Sequence, residues 1–213
     1  MVEKKIRVPK LNSKLAEFVG IMLGDGNIYI SKKSHVYQIK ITSHSITDKI
    51  YLKEFVKPLV EKLFGLKAPI YPEKGKKANS LRLTSKKLVS FLLLIGLKEG
   101  DKIKNKVIIP RWILKKDKFT QACIRGLFDT DGTVFFHNKR SHRKSIGFKN
   151  YNQKLLRQVR VNVLRFGLHP TQITNKNVFY LSRQSEIKLF IKRIGFSNCK
   201  HLSKCKMSKS LRL

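Results

Sequence analysis

Two stretches decide the fold of this 213-residue chain: Phe18-Val-Gly-Ile-Met-Leu-Gly-Asp-Gly26 and Ile124-Arg-Gly-Leu-Phe-Asp-Thr-Asp-Gly132. Each reads as a helix that ends on Asp-Gly, and each carries a small residue every four positions: Ala16, Gly20 and Gly24 in the first, Ala122, Gly126 and Thr130 in the second. That spacing puts the small residues on one helix face. A glycine in a helix interior costs about 1 kcal/mol relative to alanine, so local propensity does not select it. Close packing of the two helices does. Helices that touch along these faces bring Asp25 and Asp131 together at their ends. Neighbouring carboxylates repel unless they share a proton or a cation, and carboxylate oxygens suit Mg²⁺ or Mn²⁺ better than zinc. A lone Asp-Gly is most simply a turn. The same acid closing two such helices points to metal binding or catalysis.

Outward from these stretches the halves keep matching. Lys62-Leu-Phe-Gly-Leu66 pairs with Leu164-Arg-Phe-Gly-Leu168, and the segment leading to Leu94-Ile-Gly-Leu97 pairs with the one leading to Arg193-Ile-Gly-Phe196. Three ordered landmarks make a repeat. In the first copy, Asn12 or Ser13 caps the opening helix, and short strands are expected at 28–30 and 36–42. The second strand alternates Tyr37, Ile39 and Ile41 with Gln38, Lys40 and Thr42, which gives a half-buried strand with a polar outer face. A helix at 48–63, divided at Pro58, follows, then strands at 70–71 and 81–83 and a helix at 86–95. The second copy predicts helices at 118–130, 153–166 and 185–194, with strands at 133–136, 144–148 and 179–181. The expected organisation is a first repeat at 1–97, a linker at 98–116 with Trp112 as its anchor, a second repeat at 117–196 and a basic tail at 197–213. The fold class is α+β.

Charge narrows the function. Lys and Arg number 47 against 13 Asp and Glu, a formal net charge of +34. So basic a surface calls for a polyanion such as DNA or RNA. A carboxylate on such a surface repels phosphate, so the pair Asp129 and Asp131 in an acid-poor half needs a reason. Apolar runs such as 91–95 are too short to cross a bilayer, and the N-terminal residues lack a signal-peptide hydrophobic segment, so no membrane partner is expected. Three cysteines cannot all pair within one chain, which suggests a reducing, intracellular setting. Cys199, His201 and Cys205 lack a fourth ligand and zinc-finger spacing.

The two motifs, with the segment Ile109-Pro-Arg-Trp-Ile-Leu114 before the second, resemble the LAGLIDADG homing endonucleases in their single-chain, two-motif form. The resemblance covers residues 12–196. It implies two pseudo-symmetric αββαββα repeats that form a saddle over the major groove, and a monomer that cuts both strands of a long asymmetric duplex with Mg²⁺ or Mn²⁺, leaving short 3′ overhangs. Asp25 and Asp131 are carried over as the catalytic, metal-ligating pair, with Gly24 and Thr130 before them counted among the metal positions. Asp129 reads as a structural acid. After the long second strand relatives often carry a lysine. Here stand Ser43 and His44 in the first repeat and Asn150 and Tyr151 in the second, of which His44 and Asn150 are the catalytic candidates. DNA reading is expected of Gln38, Lys40, Thr42, Arg82, Ser145 and Lys149, with Lys139, Arg140 and Arg143 reaching the backbone from the 137–144 loop. Two alternatives stay open: an intron RNA-binding splicing cofactor, and a DNA-binding protein of the same fold that does not cut.

Overall fold

The computed structural model describes residues 6–136 and 143–206. Asn12 caps α1 (Ser13–Gly24), its side chain accepting from the Leu15 N–H. Strands β1 (Gly26–Ser31) and β2 (Val36–His44) follow. A π-helical turn, Tyr51–Val56, then runs into α2 (Lys57–Phe64). Pro58 explains the change of winding: it has no N–H to give the preceding turn, and the Lys57 N–H bonds Leu52 instead, five residues back. Strands β3 (Ile70–Pro72) and β4 (Ala78–Thr84) and helix α3 (Lys86–Leu94) complete the first half.

The sheet order is β1-β2-β4-β3, antiparallel throughout, with Ile39, Ile41, Leu81 and Leu83 buried on one face. Gln38, Lys40, Thr42 and Arg82 stand on the other, as the two-residue period requires.

After the single turn α4 (Arg111–Leu114), the second half repeats the plan: α5 (Asp117–Asp131), β5 (Gly132–Phe136), β6 (Lys144–Lys149), α6 (Gln153–Arg165), β7 (Val178–Leu181) and α7 (Gln184–Arg193). Its core is aromatic: Phe128, Phe148, Phe179 and Phe190 are fully buried with rings in contact, each contributing about 1.5–3 kcal/mol by burial.

The α+β class and the repeat are as the sequence implies, but the second sheet has three strands, ordered β5-β6-β7, among the described residues. No counterpart of β3 stands among the described residues. The chain after α6 does lie along β7, with the Thr171 N–H on the Tyr180 carbonyl and the Thr174 N–H on that of Val178. The Tyr180 N–H, however, donates to the Thr171 hydroxyl at 3.0 Å rather than to a carbonyl, and the ladder is broken there. Among the described residues no helix is long and apolar enough to cross a membrane.

The halves meet along α1 and α5. A Cβ on Gly20 would overlap the carbonyl oxygen of Cys123, and one on Gly126 would overlap that of Glu17 and stand 3.0 Å from the Ile21 nitrogen. Glycine is therefore what lets the two backbones touch. Ala16 and Ala122 are buried on the same seam, and Gly24 faces the Thr130 side chain at the last turn. At the other end of the seam, Arg125 grips both oxygens of Glu17 at 2.8 and 2.9 Å.

Candidate active site

The turn from each helix into its first strand sets the acids at the end of the seam. Asp25 is the residue after α1 and Asp131 the last of α5, and both are half-buried. Burial pushes the Asp25 carboxyl up to about 7, with the charge of Asp131 adding to the rise. Burial likewise pushes Asp131 up to about 6, against the pull of a 2.8 Å hydrogen bond donated by the Asn150 side chain. No hydrogen bond from a described residue reaches the Asp25 carboxylate.

The strand register settles which residues follow the long strands at equivalent positions. Gly26 pairs with Ile41, and Gly132 pairs with Phe148. Ser43 is thus the counterpart of Asn150, and His44 that of Tyr151. From sequence, His44 is the residue expected at the acids. In the structure it is exposed, and its Nδ1 accepts the N–H groups of Ile46 and Thr47 at 3.3 and 3.2 Å. One step along a strand changes the face, which is why the ring lies off the seam while Ser43 stays on it. The Ser43 hydroxyl is buried without a hydrogen-bond partner.

Lys102 is the residue that sequence reasoning missed. It lies in the segment between the repeats, and that segment is pinned at both sides of the seam. The Gly100 N–H donates to Ile28 in the first half, while the Asn152 side chain of the second donates to the Val107 carbonyl at 2.7 Å. Asp101 caps the turn by accepting the Ile103 and Lys104 N–H groups. These ties hold Lys102 above the helix ends. Its ammonium donates to the Gly24 carbonyl and faces both Asp25 and Asp131. Burial lowers its pKa, and the two carboxylates oppose that fall. The signal in the sequence was a basic linker beside acids whose expected lysines were absent. A cavity of about 380 Å³, lined by Gly24, Lys102, Asp131, Lys149, Asn150 and Asn152 among others, opens beside Asp131.

Asp129, expected to be structural, is buried beneath the seam. It accepts the backbone N–H groups of Ser197 at 3.0 Å and Asn198 at 2.9 Å. Burial still pushes its carboxyl up to about 8. The Asn198 side chain bridges the halves, donating to Asp48 at 2.8 Å and to the Asp129 carbonyl at 3.1 Å, and Lys200 joins Asp48 at 2.7 Å. The segment read from sequence as the start of a basic tail is therefore a clasp, continued by helix α8 (Cys199–Lys206).

The remaining sequence candidates divide. Gln38, Lys40, Thr42 and Arg82 share the outer face of the first sheet. Lys149 is exposed at the end of β6. Ser145 is fully buried and bonded to the Ser182 hydroxyl at 3.0 Å, on the same side of the second sheet as the edge-to-face rings of Phe135 and Tyr180, and so is not exposed to read DNA. Arg143 is exposed, and Lys139 and Arg140 lie outside the described residues. The Thr130 hydroxyl turns back to its own helix, donating to the Gly126 and Leu127 carbonyls at 3.1 and 2.9 Å, so any part it plays at the acids falls to its backbone.

Two repeats joined at a glycine seam, with one carboxylate from each at its end, define a class of two-motif α+β proteins. A family model described as a LAGLIDADG-like domain matches residues 118–195. The structure of the homing endonuclease I-DmoI in complex with DNA and Mn superposes with a TM-score of 0.59 at 25% identity, over 87% of this chain and 97% of that one. The second repeat thus matches a LAGLIDADG-like domain, and the chain as a whole has the fold of the homing endonuclease I-DmoI. The chain is 30% identical to the replication factor C small subunit of Methanocaldococcus jannaschii over 206 residues, which are 91% of this chain and 10% of that protein. It is 26% identical to a probable cell division protein, WhiA, of Oceanobacillus iheyensis, over 85% of this chain and 57% of that one. The chain spans 10% and 13% of the length of the first two curated relatives it matches.

Proposed function

We propose that this chain is a site-specific, divalent-metal-dependent endonuclease that lays duplex DNA across its two sheets and cuts both strands at the helix seam, leaving short 3′ overhangs. The observation that carries this reading is the pair of half-buried carboxylates, one from each repeat, crowned by a lysine ammonium. The similar I-DmoI is a homing endonuclease whose structure was solved with DNA and Mn.

The residues fit a Mg²⁺ or Mn²⁺ ion. Burial and mutual repulsion disfavour two ionised carboxylates, and a divalent cation relieves both effects. The Gly24 carbonyl already accepts a cationic donor. Asp25 and Asp131 would hold the ion, with the Gly24 and Thr130 carbonyls beside them. When bound, it supplies positive charge for activation of water and for the charge growing on the phosphate. Among the described residues no group of three or more His, Cys, Asp and Glu stands together, so the reading rests on the acid pair and its neighbouring carbonyls.

The protein's own groups do the rest. Asn150 fixes the Asp131 carboxylate. Lys102 lowers the cost of keeping both acids ionised and offers its ammonium to a phosphate oxygen arriving at the seam. Lys149, at the cavity mouth, neutralises a neighbouring phosphate.

The test is selection of cleaved sites from a randomised duplex library with Mg²⁺, using the unmodified chain, Asp25→Asn and Asp131→Asn. Cutting by the unmodified chain alone, with DNA binding kept by both variants, is expected. Double-strand cutting that survives either substitution refutes the reading. The similarity to WhiA, together with Ser43 and Asn150 standing where lysines are frequent, favours one second reading: a protein of this fold that binds DNA without cutting. Selective binding with no cutting by the unmodified chain would establish that reading instead.

A further inference from the structure

One carboxylate stands on the face assigned to DNA. Lys40 lies directly across the β2–β4 ladder from Arg82, on the side away from the core. Glu73, in the turn between β3 and β4, reaches over both: a single oxygen, Oε1, accepts from Arg82 Nη2 at 2.7 Å and from Lys40 Nζ at 2.9 Å. The turn is itself tied, with the Glu73 N–H on the Ala78 carbonyl and the Lys76 N–H on that of Glu73. Arg82 is gripped twice more, by a 2.9 Å bond from Nε to the Ser80 hydroxyl and by the Tyr71 ring, 5.5 Å from the guanidinium carbon to the ring centroid.

In a chain of net charge +34, an acid on the binding face weakens attraction to phosphate. Neutralised cations have less to gain from phosphates than free ones. What the cluster supplies is fixed geometry. The side-on edge of the guanidinium, Nε with one Nη2 hydrogen, is taken by Ser80 and Glu73. The end-on fork of Nη1 and Nη2 remains for a ligand, and a planar pair of donors matches the O6 and N7 acceptors that guanine shows in the major groove.

We propose that Glu73 is a specificity-determining residue, a buttress that holds Arg82, with Lys40 beside it, in position to read a guanine edge rather than a phosphate. This rests on the DNA-binding reading above. The Ser80 hydroxyl, Arg82 and Lys40 keep the Glu73 carboxyl down at about 2, so the buttress is ionised at working pH.

The experiment is metal-free selection of bound sites from randomised duplexes, with binding to random duplex measured against KCl, for the unmodified chain, Glu73→Gln and Arg82→Ala. The unmodified chain is expected to require guanine at one position. Arg82→Ala removes that requirement, and Glu73→Gln weakens it by about tenfold. Glu73→Gln also binds random duplex more tightly, with a slope of log affinity against log salt steeper by about one. A role limited to bracing the turn would move neither the base preference nor the slope. A Glu73→Gln protein with unchanged guanine preference and unchanged slope overturns the proposal while DNA reading stands. An unmodified chain with no base preference at any position overturns DNA reading, and the proposal with it.

Discussion

Gly126→Ala sets two opposing effects against each other at one atom. In an ordinary helix interior the change stabilises by about 1 kcal/mol, because alanine has the better propensity. Here the new methyl overlaps the Glu17 carbonyl oxygen and meets the Ile21 nitrogen at 3.0 Å. Both obstacles are backbone atoms of a helix fixed by its own hydrogen bonds, so no side chain can swing aside. Overpacking of this kind costs about 1–3 kcal/mol, and a backbone obstacle puts Gly126 at the upper end. The balance is a loss of about 2 kcal/mol, which for a chain of this size lowers Tm by about 4–8 °C. Relief of the overlap requires α1 and α5 to separate, which moves Asp25 from Asp131 and weakens Mn²⁺ binding as well. Thermal melts in metal-free buffer and a Mn²⁺ titration report the two effects. A Tm equal to or above that of the unmodified chain would refute the close-packing argument, since that is what an alanine with room to spare produces.

Two further outcomes follow from the site. Lys102→Met should leave duplex binding in the absence of metal within about threefold while slowing hydrolysis by roughly a hundredfold, measured by gel shift and by single-turnover cleavage; equal losses in both would make Lys102 a general DNA contact. The pH dependence has a definite sign. Asp25, near 7, and Asp131, near 6, hold protons more tightly folded than unfolded. Their contribution to metal-free stability is therefore full below the unfolded carboxylate range, about 4, and is lost as pH rises through 6 and 7. Denaturant titrations in EDTA at pH 5 and pH 8 should show less of this loss in Asp25→Asn than in the unmodified chain, and an identical pH dependence would contradict the assignment.

The helices, the repeat and the acid pair were legible because they rest on short-range pattern: small residues at every fourth position, alternation along β2, and Asp-Gly at two helix ends. The His44 expectation failed by one residue, and its cause is general. A strand's faces alternate at every step, so a register uncertain by one exchanges the seam for solvent, and hydrogen-bonded pairing alone fixes that Ser43 matches Asn150. Lys102 and the clasp were hidden for another reason. Lys102 owes its place to the bond its neighbour Gly100 donates to Ile28 and to the bond its own carbonyl accepts from Asn152, and Asp129 to donors 68 and 69 residues away. No local composition encodes such pairings. The burial of Ser145 was hidden for the same reason, since its partner Ser182 lies 37 residues away, just beyond another strand.

The clasp also fixes an order of events during synthesis. Asn198 is made 150 residues after Asp48 and 69 after the helix position it caps. At ribosomal rates of about 5–20 residues per second, several seconds pass between α5 and the donors that satisfy Asp129. Through that interval Asp129 has no backbone partners, and the two halves lack the bridge from Asp48 to Asp129. A growing polypeptide with both acidic motifs already translated therefore still lacks its clasp, which closes only when Ser197 to Lys200 have left the exit tunnel and docked.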